Sequence, residues 1–204
     1  MNGFDLLTFG ILGVVVTIAL LGWWLAPERV ARRKLRAMAP SPVSALRPGQ
    51  RAMVRGEVVL GDTLQSPFSG EPCAYWHVRI REKRGKNWHT RAERHEGLGF
   101  FVDDGTGRVW IDARGYRLPL ELQEVGGTGS FDEATPREQE VLSGFGIDGT
   151  TMLGFNRLME FFEGSLVAGE VVCAAGDVTV AEVDGEPVLA LVPGKEGLLV
   201  SDTV

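Results

Sequence analysis

The stretch DVTVAEVDGEPVLALV, residues 177–192, decides the fold. Apolar residues recur on both sides of Asp184-Gly185 with the spacing of strands that bury one face. Asp-Gly is a preferred pair for a two-residue hairpin turn, because both positions need positive backbone φ angles. We therefore predict two antiparallel strands, 177–183 and 187–192, joined by a tight turn.

Short apolar segments of the same kind lie on either side of this hairpin. They are bounded by glycine, proline and aspartate, which favour turns. The predicted strands begin at Arg51, 73, 100, 109, 165 and 198. In the second of them, Tyr75, His77, Arg79 and Arg81 alternate with Trp76, Val78 and Ile80. The alternation predicts one solvated face and one buried face.

One short helix and several ambiguous segments complete the pattern. Thr135 and Glu138 form a capping box with proline at the first helical position, which predicts a helix ending at Gly144. Residues 115–131 are predicted to be a loop with some extended character. We expect a turn at Glu163-Gly164, whereas residues 156–162 are compatible with either a helix or a strand.

The order of these elements predicts the fold class. Strands do not alternate with long helices, so a parallel sheet is not expected. The chain is predicted to be mainly β, with an antiparallel barrel-like or sandwich domain and one short helix. The segment Gly56-Glu57-Val58-Val59 recurs as Gly169-Glu170-Val171-Val172, and each copy precedes a Gly-Asp pair. This echo predicts that late strands pair beside early ones.

The N-terminal stretch LLTFGILGVVVTIALLGWWL, residues 6–25, contains no charged side chain. A helix of about 20 apolar residues spans the roughly 30 Å hydrocarbon layer of a bilayer. The stretch begins at Leu6 and ends at Leu25, with Trp23 and Trp24 at headgroup depth. It lacks the basic leading segment and the cleavage site of a signal peptide, so we predict a transmembrane helix.

Basic residues follow this predicted anchor. They are Arg29, Arg32, Arg33, Lys34 and Arg36. Because positive charge favours the cytoplasmic side, we expect a single-pass protein with its N-terminus outside and its C-terminal domain in the cytoplasm. Three regions result, namely an anchor at 1–27, a basic juxtamembrane helix and linker at 28–48, and a β domain at 49–204.

Charge and cysteine content exclude several classes of function. The net charge is -6, and residues 56–204 carry 13 Lys and Arg against 25 Asp and Glu. An acidic domain repels nucleic acid, so no nucleic-acid partner is expected. Cys73 and Cys173 are the only cysteines, which excludes zinc fingers and multi-disulfide scaffolds. No nucleotide-binding fingerprint is present, and no cofactor is predicted.

One segment is basic despite the acidic surroundings. It contains Arg79, Arg81, Lys83, Arg84, Lys86, Trp88, Arg91 and Arg94. Such a hairpin is a candidate surface for an acidic protein, a peptide or anionic lipid. The alternative interpretation is a solvated strand edge whose charges prevent aggregation.

The residues with catalytic or metal-binding chemistry are few. The histidines are His77, His89 and His95, and their spacing does not favour a zinc site on one element. Cys73 is a candidate nucleophile only if a base lies close to it. Asp103, Asp104 and Asp112 surround a glycine turn, where they favour either calcium binding or the turn itself.

Several motifs follow one another between residues 50 and 201. They are Gly56-Glu57-Val58, Ser66-Pro67, Gly70-x-Pro72-Cys73-x-Tyr75, Phe101-Val102-Asp103, Thr106-Gly107-x-Val109 and Glu160-x-x-x-Gly164-x-x-Val167-x-Gly169-Glu170-Val171. Their order resembles the GIDE domain, the membrane-adjacent domain of the MULAN (MAPL) ubiquitin ligase family and its chloroplast relatives. The resemblance implies a domain that acts beside a membrane.

Family ligases also carry a RING, whose cysteines and histidines hold two zinc ions. Two cysteines cannot form that module, so ligase activity is not expected from this chain alone. We expect a membrane-anchored, non-catalytic interaction module that binds a protein, a peptide or anionic lipid, in a membrane-stress or defence system. The alternatives are a ligase component working with a separate RING chain, and a metal-dependent hydrolase using Asp103, Asp104 and a histidine.

The first testable prediction concerns topology. Because the basic cluster follows the apolar stretch, protease added to intact spheroplasts should leave the β domain uncut. Digestion should occur only after the membrane is permeabilised, which serves as the control. Cleavage of the domain in sealed spheroplasts would place it on the outer side and contradict the charge argument.

Overall fold

The computed structural model describes residues 27–129, 133–148 and 157–202. The helices are α1 (Pro27–Arg36) and α2 (Pro136–Gly144), with a 3-10 turn at Val43–Ala45. No helix within these ranges has the length and apolar character needed to cross a bilayer. The predicted anchor, from Leu6 to Leu25 with Trp23 and Trp24, lies outside the described residues.

The described part of the chain is mainly β, as predicted. Its strands are β1 (Arg51–Leu60), β2 (Leu64–Gln65), β3 (Pro72–Arg84), β4 (Asn87–Gly97), β5 (Gly99–Asp103), β6 (Arg108–Asp112), β7 (Gln123–Thr128), β8 (Met159–Val167), β9 (Val171–Val183), β10 (Glu186–Val192) and β11 (Leu199–Ser201). They form two curled sheets. Every paired set is antiparallel except β6 with β10.

The first sheet has the order β1-β5-β6-β10-β9-β11, and β1 also pairs with β9. The predicted hairpin forms β9 and β10, and its turn residues Asp184 and Gly185 have φ angles of 52° and 81°. The internal echo also holds, since Gly56 pairs with Val172 and Glu57 with Val171. The late strands therefore return beside the first strand, as expected.

The second sheet has the order β2-β3-β8-β7, with β4 paired to β3. One sequence prediction fails here. Glu163-Gly164 is not a turn but part of β8, where a Cβ on Gly164 would come 2.7 Å from the Glu121 carbonyl oxygen. The glycine is needed for close packing rather than for a bend. Residues 115–131, predicted as a loop with some extended character, include the short strand β7.

The prediction that Tyr75 and His77 lie on a solvated face is also wrong. Tyr75 is fully buried and His77 is 1% exposed. The chain after β6 crosses this face, since the Leu118 N–H donates to the Tyr75 hydroxyl at 3.0 Å. Leu118 and Leu120 join the main core beside Tyr75, so this end of β3 is buried on both faces.

A second core joins α2 to the second sheet. The capping box predicted for α2 is present, because Thr135 and Glu138 each accept a hydrogen bond from the other's backbone N–H. Leu142 packs with Val78, Ile80 and Phe161 of the sheet. The C-terminal end of α2 is thereby held beside β3 and β4.

The basic segment 28–48 packs against the β domain. In α1, Ala31 and Leu35 are buried, and Arg32 forms an ion pair with Glu121 at 2.9 Å. Further along, Val43 and Leu46 lie in the main core. The part predicted as a linker is therefore packed against the sheets, because its apolar residues have a hydrophobic surface to cover.

We predict that α1 contributes to the stability of the whole domain. Leu35 is fully buried among Met53, Cys173 and Ala175. Leu35→Ala should lower the free energy of unfolding by about 2–5 kcal/mol, through lost burial and the cavity left behind. Denaturant titration of the full chain in detergent would measure it. The exposed Arg36→Ala serves as control, and equal stabilities would contradict the docking of α1.

Candidate interaction site on the basic hairpin

The basic segment forms the hairpin of β3 and β4, with a turn at Gly85-Lys86. β3 also pairs with β8, but only up to Glu82. The remaining part of the hairpin continues beyond the last β8 pair, with Lys83 opposite Trp88 and Arg84 opposite Asn87. We call residues 83–88 the hairpin tip. The sheet therefore fixes the base of the hairpin and leaves the tip outside the β8 pairing.

Three of the predicted basic residues are neutralised by carboxylates. Arg79 pairs with Glu93 at 3.0 Å, Arg81 with Glu160 at 3.3 Å and Arg84 with Glu82 at 2.9 Å. These arginines therefore contribute less net charge to the surface than the sequence suggested. Arg79 and Arg81 instead join β3 to β4 and β8, whereas the Arg84 pair lies within β3.

Glu82 is the most buried of these carboxylates, at 5% exposure. Burial by itself raises the pKa of Glu82, but hydrogen bonds from Arg157 and Arg84 outweigh it and hold the pKa below the ordinary value. The buried carboxylate therefore stays ionised and joins the tip to the segment before β8. Removing it would break the link between Arg157 and Arg84 at the base of the tip.

Other basic residues keep their charge at the surface. Lys86 and Arg91 are exposed and form no ion pair within the described part of the chain. The Lys83 ammonium lies 5.8 Å from the centre of the Trp88 ring, and the Arg81 guanidinium lies 5.6 Å from it. Trp88 is thus an aromatic surface between two cations. Such a group suits contact with a partner.

An open cleft of about 590 Å³ lies beside β4 and faces the end of α2. Its sheet side is formed by Trp76 and residues 93–96, and its helix side includes Val141 and Phe145. The Arg94 guanidinium stacks over Phe145 at 4.6 Å and donates to the Gly144 carbonyl at 3.2 Å. Arg94, the last residue of the predicted surface, therefore forms part of this cleft.

A buried histidine lies on the opposite face of the same strands. His77 Nε2 is 2.8 Å from Glu93 Oε1, which also accepts from Arg79 and Arg117. Since the carboxylate only accepts, Nε2 carries the proton, and the buried Nδ1 has no partner among the described residues. Burial is the main cause that lowers the pKa of His77. The imidazole is therefore neutral at pH 7.

The neighbouring side chains change the pKa of Glu93. Burial raises its pKa, but hydrogen bonds from Arg79 and His77 more than compensate and lower it. Glu93 remains ionised and takes up much of the positive charge at the base of the hairpin. The position of Glu93 opposite Arg79 follows from the strand register, which the sequence alone did not fix.

The residues considered for catalysis are not brought together. Asp103 accepts from Arg108 and the Gly105 N–H, and Asp104 accepts from Val43 and Thr106. These carboxylates therefore stabilise the β5–β6 turn. No cluster of three or more metal-binding side chains occurs within residues 27–129, 133–148 and 157–202.

Cys73 also lacks the features of a nucleophile. It is fully buried, and burial is the main cause that raises the pKa of its thiol to about 11. The nearby carboxylate of Glu163 adds to this shift. The thiol is protonated at neutral pH, and a protonated, buried thiol is unreactive.

We predict that His77 makes stability depend on pH. Its folded pKa lies below the ordinary 6.5, so the unfolded chain binds the proton more readily. The free energy of unfolding should be full well above about pH 6.5 and should fall on acidification through that pH, until His77 is protonated in the folded protein as well. Glu93 stays ionised in this window because its own pKa is lowered.

Denaturant titrations at several pH values would test this. His77→Gln retains an amide N–H for Glu93 but cannot be protonated, so most of the slope with pH should disappear. His89→Gln, at an exposed position of β4, should retain the slope. The same slope in the His77 variant and in the unmodified chain would contradict the assignment.

Comparison with family models, with characterised proteins and with solved structures finds no significant match for this chain. The function has to be inferred from the geometry and charge of the chain itself.

Proposed function

We propose that the chain is a non-catalytic interaction module, anchored in a membrane by residues 6–25, that binds an acidic protein or peptide with the basic hairpin. The resemblance to the GIDE domain points in the same direction. The observation that carries the proposal is a local excess of exposed positive charge in an acidic domain. Lys83, Lys86 and Arg91 supply that excess.

The charge of the hairpin differs from that of the domain that carries it. The β domain as a whole repels anions, so an acidic partner would approach only where cations are concentrated. Several arginines of the hairpin already pair with carboxylates of the domain, as Arg79 and Arg81 do. Lys83, Lys86 and Arg91 are therefore the basic residues that remain for a partner. Trp88 adds apolar contact area beside Lys83.

The proposed fold of the module is a small barrel. Strands β1, β5, β6, β10 and β9 pair in a ring, with β6 and β10 parallel. This is the arrangement of five-stranded Greek-key barrels of the OB type, which present binding surfaces on their strands and loops. The second sheet is formed by two insertions into this ring, β2–β4 between β1 and β5 and β7–β8 between β6 and β9. A fold alone does not assign a partner, so the proposal rests on the hairpin.

The test is a charge reversal that spares the internal ion pairs. Lys86→Glu with Arg91→Glu changes exposed residues only, whereas reversing Arg81 or Arg84 would also disrupt Glu160 or Glu82. The double variant should bind poly-L-glutamate at least about tenfold more weakly at low salt, because surface attraction is lost. Its membrane fractionation should be unchanged, since the anchor is intact.

Matched controls separate charge from position. Arg55→Glu with Lys195→Glu makes the same change in net charge away from the hairpin and should bind as the unmodified chain does. Binding to anionic vesicles is measured in parallel. If the chain binds anionic vesicles but not poly-L-glutamate, the partner is anionic lipid rather than an acidic protein. Equal loss in both double variants would contradict a hairpin site.

A further inference from the structure

β4 is an edge strand of unusual length and exposure. It runs for 11 residues and pairs only with β3 in the part of the chain that the structure describes. Only Gly97 at its end is buried. One side of its backbone therefore presents N–H and C=O groups without a strand partner. Such an edge is a template for another strand.

The cleft opens on this edge. Side chains of a strand alternate between the two faces of a sheet, so residues that line a pocket over one face would be every second residue. Here four consecutive residues, 93–96, line the cleft. The cleft therefore reaches the backbone edge of β4. Across it lie Val141 and Phe145, which α2 holds in place.

The lining fits an extended peptide of defined chemistry. Trp76 and Phe145 offer apolar contacts in the cleft, while Arg91, exposed on β4 outside the cleft, offers positive charge along the edge. Glu93 does not oppose an acidic ligand strongly, because Arg79, Arg117 and His77 already surround it. Glu96 lines the cleft and does oppose one, so acidic side chains belong outside the cleft, at the end of β4 nearer to the hairpin tip.

We propose that an extended segment of a protein partner, alternating acidic and apolar residues, adds as a strand to the free edge of β4. Its backbone hydrogen-bonds to β4, and its apolar side chains enter the cleft between β4 and α2. Its carboxylates alternate with these side chains, face away from the cleft and meet Arg91, which does not line the cleft. This mode rests on the proposed function and specifies how the partner is held. Backbone bonds supply affinity, and the cleft supplies specificity.

The test uses the full chain in neutral detergent and two labelled peptides, (Glu-Val)4 and (Lys-Val)4, with both ends blocked. (Glu-Val)4 should bind at least about tenfold more tightly, as judged by fluorescence polarisation. Arg91→Glu should weaken it, whereas Arg55→Glu should not. Equal binding of the two peptides would overturn the charge assignment.

Backbone methylation tests the strand itself. In an added strand only alternate N–H groups face the neighbouring strand. (Glu-Val)4 methylated on the nitrogens of either the glutamates or the valines should therefore lose at least about tenfold in affinity for one pattern only. If both patterns bind like the unmethylated peptide, strand addition is wrong.

Other outcomes are also decisive. Binding of poly-L-glutamate without binding of (Glu-Val)4 would overturn strand addition and leave the proposed interaction module intact. Sedimentation should show that the full chain does not associate through β4. Thr90→Pro and Arg91→Pro would be tested separately. If the chain forms a dimer that either substitution dissociates, the occupant of the edge is a second copy of the chain and not an acidic peptide.

Discussion

The pairing of β9 with its neighbours is the constraint on which the described structure depends. β9 pairs with β1 along one side, and with β10 and β11 along the other. Its outward-facing Cys173 and Ala175 also receive Leu35 of α1. One strand thus curls the first sheet, positions the C-terminal strand and holds the segment that follows the proposed anchor. Residues at the centre of β9 are packed on several sides, which explains why small side chains such as Ala174 and Ala175 occupy these positions.

The strands and turns that depend on local chemistry were predictable from the sequence. Asp184-Gly185 and the Thr135–Glu138 capping box encode their own geometry, and both form as expected. The errors arose where a distant segment determines the environment. Gly164 is a close-packing glycine because of Glu121, and His77 is buried because the chain near Leu118 crosses it. Such tertiary contacts leave no local signal, so alternation in β3 was interpreted as one solvated face.

The same limit applied to the candidate site. Composition identified the basic hairpin, but it could not distinguish arginines that hold the sheet together from those that face a partner. The register does so, since it places Glu93 opposite Arg79 and Glu160 opposite Arg81. The cleft was missed altogether, because it joins β4 to the end of α2, about 50 residues later in the chain. The net charge that such a cluster presents to a partner is therefore better counted after the residues in internal ion pairs are left out.

The docking of α1 links the proposed anchor to the proposed surface. The apolar stretch ends at Leu25 and α1 begins at Pro27, so a spanning helix would leave almost no chain for independent movement of the domain. α1 is held by buried Leu35 and by ion pairs of Arg32 and Lys34 with the β domain. Its orientation would then set the direction in which the hairpin faces. Electrostatic attraction decays over roughly 8–10 Å, so this rigid connection, rather than net charge, would decide whether Lys86 and Arg91 meet the bilayer or a partner beyond it.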